Sequence, residues 1–186
     1  MLNSRSARTD NPRVSLERKA PVPQFIEKLR VAVRLVLLAE EPTAGSLSLA
    51  PHSERHAGPE TLLERLNDRV RVMPFLRADD ALMLVTREHI EWVMPSAVVG
   101  PELVRPQAFA FTREERVRVR LLSGAHFDGV LSMEMPHEYN RASDFLNEED
   151  DFFVLTTPSG TVLVNKARVV DIRVYGVGPR SGTQAA

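Results

Sequence analysis

His52 and His56 stand four residues apart with Glu54 between them. On a helix that spacing would aim two imidazoles at one metal ion. Pro51 and Gly58 bracket the stretch and no third ligand is evident, so the expectation is a solvated loop. Glu148, Glu149, Asp150 and Asp151 form an acidic run, but without the glycine-centred spacing of a calcium loop it reads as solvated charge. Ser159-Gly160 lacks the flanking glycines of a nucleophile elbow. The absence of cysteine excludes a thiol nucleophile, thiolate metal sites and disulfides. These residues predict a non-enzymatic protein with no metal and no cofactor.

The most basic feature is a stripe. Arg116, Arg118 and Arg120 alternate with Val117, Val119 and Leu121, the pattern of a strand with one wet and one buried face. With Arg113 and Lys166 the stripe is a candidate contact for an anion or nucleic acid. A formal net charge of -1 opposes non-specific nucleic-acid binding, which needs a basic surface to displace counterions. At 6% aromatic content the chain also offers few platforms for base stacking. Two Pro-His pairs recur, Pro51-His52 and Pro136-His137, each followed by an arginine, Arg55 and Arg141. They read as turn-shaping residues.

The elements that must position these residues repeat along the chain. Arg30–Leu35 and Arg116–Leu121 both alternate apolar with mostly basic residues. Each leads to a glycine-headed strand, Gly45–Leu49 or Gly129–Met133, and then to a short helical step, Pro59–Leu63 or Ala142–Leu146. Third strands follow at Val70–Met73 and Phe153–Leu155, and fourth strands at Leu82–Val85 and Thr161–Val164. Last strands follow at His89–Trp92 and Val169–Val174.

The expected fold is therefore mostly β: two tandem small five-stranded barrel-like domains, each with one short helix between its second and third strands. The expected boundaries are a flexible N-terminal arm over 1–22, a first repeat over 23–94 and a linker over 95–114. A second repeat follows over 115–175, then a flexible tail over 176–186.

Val119–Gly124 followed by Phe127–Leu131 resembles the first motif of Sm-like barrels, a strand, a glycine-bearing turn and a bent strand built around glycine. Gly160–Ala167, continuing to Val170 and Ile172, is similar to the second Sm motif. An SH3-like barrel would produce much the same pattern. The resemblance implies a small barrel, and Lys166 matches the lysine of the Lys-His pair on the RNA-facing loop of bacterial Sm-like proteins. The loop from Glu134 to Glu149 is longer than that family carries, and its base-recognising Asp and Asn have no clear counterpart.

The expected function is an interaction or scaffold module that uses barrel edges and loops to bind a protein partner or itself. The alternative is RNA or single-stranded nucleic-acid binding by the second repeat. The apolar stretch Leu35–Ala39, which no other exceeds, is too short to span a bilayer, and a cytoplasmic protein is expected.

Overall fold

The computed structural model describes residues 28–38, 40–106, 113–133 and 141–177. The expected arm over 1–22, the second Pro-His pair and the tail beyond 177 lie outside them. The first half carries β1 (Leu29–Leu37), β2 (Thr43–Leu49), α1 (Leu62–Asn67), β3 (Val72–Arg77), β4 (Leu82–Thr86) and β5 (Ile90–Pro95). The second carries β6 (Arg113–Leu121), β7 (His126–Met133), α2 (Ala142–Leu146), β8 (Phe152–Thr157), β9 (Gly160–Asn165) and β10 (Val169–Val177).

All ten strands join one open antiparallel sheet in the order β10-β6-β7-β8-β9-β5-β1-β2-β3-β4. The two five-stranded halves expected from the sequence are joined here: β9 of the second half pairs with β5 of the first, and a single sheet runs through both. Within that sheet the halves pair alike. β5-β1-β2-β3-β4 in the first half has the same order as β10-β6-β7-β8-β9 in the second.

The registers agree as well. Val33 lies opposite Gly45 as Val117 lies opposite Gly129. Phe75 faces Met83 as Leu155 faces Val162. Val93 faces Leu35 as Ile172 faces Val119, and β5 and β10 each shift register early in the strand. The structural match of β1 to β6 therefore sets Val33, Leu35 and Leu37 against Val117, Val119 and Leu121. This is two residues away from the sequence alignment, which set Val31, Val33 and Leu35 there. A two-residue slip keeps the same face inward, so periodicity could not detect it.

Alternation explains the outer strands. Val31, Val33 and Leu35 of β1, and Val117, Val119 and Leu121 of β6, are buried, while Arg30, Arg34, Arg116 and Arg120 point outward. The central strands follow a different rule. Phe152–Leu155 of β8 and Val162–Asn165 of β9 are buried at every position, because both faces are covered there, and their sequences are correspondingly continuous in apolar residues up to Val164.

α1 begins with a capping box: the Thr61 hydroxyl accepts from the Glu64 backbone N–H, and the Glu64 carboxylate accepts from the Thr61 N–H. Leu62 and Leu66, four apart, put one face of this helix into the core. In α2 Ala142 is the buried residue, and Phe145 and Leu146 are only partly covered. Residues expected to form a linker also join the core: Val104 is buried in the first half, and its carbonyl accepts from the Leu63 N–H at 2.9 Å.

Gly45 and Gly129 sit where β2 and β7 cross close to β3 and β8. A Cβ on Gly45 would lie under 3.0 Å from the Leu76 carbonyl oxygen and the Phe75 ring. One on Gly129 would meet the Thr156 carbonyl and Leu155 as tightly. Gly45→Ala and Gly129→Ala are each expected to cost about 1–3 kcal/mol, the usual range for overpacking. Chemical denaturation of the single variants checks this, and Gly124→Ala, where a Cβ would meet nothing, serves as a control for backbone strain alone.

Candidate functional site

The residues predicted to bind an anion do not form one open basic surface. The Arg118 guanidinium donates two bonds of 2.7 Å to the Asp128 carboxylate. Those hydrogen bonds raise the Arg118 pKa and hold Asp128 below the ordinary aspartate value. Arg120 pairs with Asp171, and Arg113 pairs with the buried Glu115 at 2.7 Å. Arg113 shares the inward face of β6 with Glu115, whereas Arg116, Arg118 and Arg120 share the outward face. Arg116 is exposed.

Lys166 is turned inward. Its ammonium donates to the carbonyls of Phe145 and Glu148 at 3.3 and 3.1 Å and lies over the Phe145 ring, holding the end of α2. Partial burial lowers its pKa, with Asp150, Glu148 and Asp151 opposing that shift. In the first half Arg87 does the same work, donating to the Asp68 carbonyl beyond the end of α1.

His52 and Arg55 flank a polar hollow between the end of β2 and α1, which Glu60, Glu64 and Arg65 also line. Arg141 is exposed at the start of α2. Sequence reasoning passed over the hub of this hollow, Glu64. Its carboxylate accepts from the Ser53 hydroxyl, the Thr61 N–H and hydroxyl, and lies 3.0 Å from His56 Nε2. The signal available was the Thr-x-x-Glu capping box. His56 thus serves Glu64. Among the described residues no group of three or more His, Asp or Glu is placed to hold a metal.

Among the described residues β4 and β10 are the edge strands, each pairing with one neighbour. β4 carries Leu82 at 67% and Leu84 at 73% exposure, and neighbouring β3 exposes Val72 at 45%. β4 has no proline, glycine or charged residue to blunt it. β10 exposes Val170, Val174 and Tyr175, interspersed with Asp171 and Arg173.

Among the described residues the edges of the two halves cover one another at the β5–β9 junction. Trp92 lies opposite Val164 and Val93 opposite Leu163. Val93 and Leu163 belong to the first-half core, along with Phe152 and Val154 of β8. Trp92 and Val36 cross into the second-half core, where the indole meets the Phe127 ring edge-on at 5.5 Å. Polar links reinforce the seam. The Asn67 side chain at the end of α1 accepts from the Phe152 N–H at 2.8 Å and donates to the Phe152 carbonyl at 3.1 Å. The Asn165 amide donates to the Ile90 carbonyl, and Arg87 pairs with Asp151 at 2.8 Å.

Compared with known proteins, the chain matches no family model, no curated protein and no solved structure.

Two outcomes follow. Asn67→Ala leaves the Phe152 amide and carbonyl without their partner and is expected to cost about 1–3 kcal/mol in denaturant unfolding. For Glu64, burial works to raise the pKa, but the hydrogen bonds from Ser53, Thr61 and His56 outweigh it and the value falls below 4.5. The contribution of Glu64 is therefore fully present above pH 4.5 and is lost as pH drops through the lower folded value. His56 is raised above 6.5, first by its bond to the Ala57 carbonyl and then by Glu64, so its contribution fades as pH rises through that higher value. Glu64→Gln should be most destabilising between these limits and converge on the wild type in acid. A stability profile measured from pH 3 to 8 checks this.

Proposed function

We propose that this protein is a non-enzymatic, cytoplasmic interaction or scaffold module that binds protein through the open edges of its sheet. The observation that carries this reading is the uncharged apolar edge of β4, with Leu82 and Leu84 in solvent beside Val72. An edge strand offers unpaired backbone donors and acceptors, and exposed apolar side chains beside them supply the burial that a bound strand needs. The matched strand order of the two halves favours a pair of related small units, of Sm-like or SH3-like type, fused into one sheet. In that arrangement each unit would keep its helix between its second and third strands.

The nucleic-acid alternative draws less support. Asp128, Asp171 and Glu115 neutralise Arg118, Arg120 and Arg113, and Lys166 is committed to the carbonyls at the end of α2. A stripe neutralised in this way releases few counterions.

The edge-binding role predicts that Leu84→Lys and Tyr175→Lys, each at an exposed position, leave the melting temperature within a few degrees of wild type. They should nevertheless release whatever co-purifies with a tagged chain from its own cells. Recovery unchanged in both variants would overturn the edge-binding role. So would a wild-type chain recovered only as a bare monomer.

A further inference from the structure

We infer that the occupant of the β4 edge is the β10 edge of a second copy of this chain, so that copies add head to tail in one defined register. This rests on the edge-binding role proposed above and names its partner.

The seam inside the chain supplies the template. β5 and β10 are the last strands of their halves and pair with β1 and β6 in the same register. β4 and β9 are the fourth strands and pair with β3 and β8 in the same register. The chain joins its halves by setting the last strand of the first against the fourth strand of the second. The counterparts of those two strands are β10 and β4, the two left open among the described residues. The seam joins two unlike surfaces, and a contact of that kind, repeated, continues from copy to copy until it closes a ring or grows a filament.

The register follows from the matched pairs. Val93 opposite Leu163 becomes Ile172 opposite Leu84 of the next copy, and Trp92 opposite Val164 becomes Asp171 opposite Val85. Burial agrees with an uncovered counterpart. Leu163 and Phe152 are buried at the seam, whereas their counterparts Leu84 and Val72 lie in solvent. On the other strand Ile172 and Val169, which match Val93 and Ile90, are only partly covered.

A second observation comes from the helices. The Arg65 N–H bonds to the Thr61 carbonyl as the Phe145 N–H bonds to the Arg141 carbonyl. In that frame Asn67 of α1 matches Asn147 of α2, and each precedes its strand, at Val72 or Phe152, by the same interval. Asn67 spans the seam to the Phe152 backbone. Asn147 is exposed, and its side chain has no hydrogen-bond partner among the described residues. In a head-to-tail pair the same geometry would bring it to the Val72 backbone of the neighbouring copy.

The contact between copies is weaker than the seam. Trp92 and Val36 are replaced at the matching positions by Asp171 and Arg120, an ion pair, and Asp151 is replaced by Arg71. One face of the contact is therefore apolar and the other charged. Association should be reversible and concentration-dependent, while the seam within the chain persists.

The chain has no cysteine, so engineered ones report without background. Leu84→Cys and Ile172→Cys proteins, mixed under mild oxidation, should form a disulfide-linked dimer. Directly paired strand residues fall within the Cα separation that a disulfide spans. The mixture should exceed by about fivefold, an order-of-magnitude expectation for paired over unpaired positions, either protein alone and a mixture of Leu84→Cys with Arg173→Cys. Adding Asn147→Ala to the Ile172→Cys protein should cut the yield severalfold and leave its melting temperature unchanged. Equal cross-linking by Leu84→Cys alone would show β4 pairing with β4 and overturn the proposal, as would no cross-link in the mixture up to millimolar protein. If no cross-link forms yet Leu84→Lys still releases a bound partner, head-to-tail self-pairing fails and the edge-binding role stands.

Discussion

Between β5 and β9 only two residue pairs are in register, Trp92 with Val164 and Val93 with Leu163, yet this contact decides the environment of every strand near it. Alternate side chains on paired strands point to opposite faces, so the two pairs serve two different cores. Val93 and Leu163 enter the first-half cluster, and Trp92 and Val164 the second. Each core is completed by residues from the other half: Phe152 and Val154 in one direction, Val36 and Trp92 in the other. Small domains are marginal because they bury too little apolar area, and sharing residues across a seam offsets that deficit for both halves.

The polar groups at the seam follow from this burial. A strand buried on both faces has no water to satisfy an end of its backbone, so partners must come from side chains. Asn67 supplies both an acceptor and a donor to Phe152, and Asn165 supplies a donor to Ile90. Glu91, buried beside Trp92, accepts from the Ser123 N–H in the β6–β7 turn at 3.1 Å. Away from the seam, charges are paired at the surface, where each pair contributes little to stability but cancels the field of its arginine. The arginine stripe on β6 is faced in this way by Asp128 and Asp171.

The same geometry frames the open ends. An apolar strand with an unpaired side is a hazard unless something covers it, and natural sheets place charge, proline or bulges there. β10 carries Asp171 and Arg173 and shifts register against β6, whereas β4 carries none of these features. The difference between the ends is chemical: β4 exposes Leu82 and Leu84 without charge, whereas β10 interleaves its exposed apolar residues with Asp171 and Arg173.

The sequence alone determined β1 and β6, because alternation of Val and Leu with Arg is a local signal, and it marked the glycines at 45 and 129; the third strand of the first half, expected at Val70–Met73, forms instead at Val72–Arg77. It also determined the absence of thiol chemistry. Matching Pro59–Leu63 to Ala142–Leu146 by pattern sets Leu62 against Phe145, whereas the hydrogen bonds of the two helices set Leu62 against Ala142 and Asn67 against Asn147. A helix of one or two turns has too little periodicity to fix its phase. The candidate site was legible only as a stripe of basic residues; their acidic partners stand far along the chain, as Asp171 does from Arg120, and no local pattern connects them. Only the tertiary structure decided that the halves share one sheet. The apolar runs of β4 and β9 look alike in sequence, yet Leu163 is buried and Leu84 exposed. That difference depends on which strand the folded chain sets alongside each.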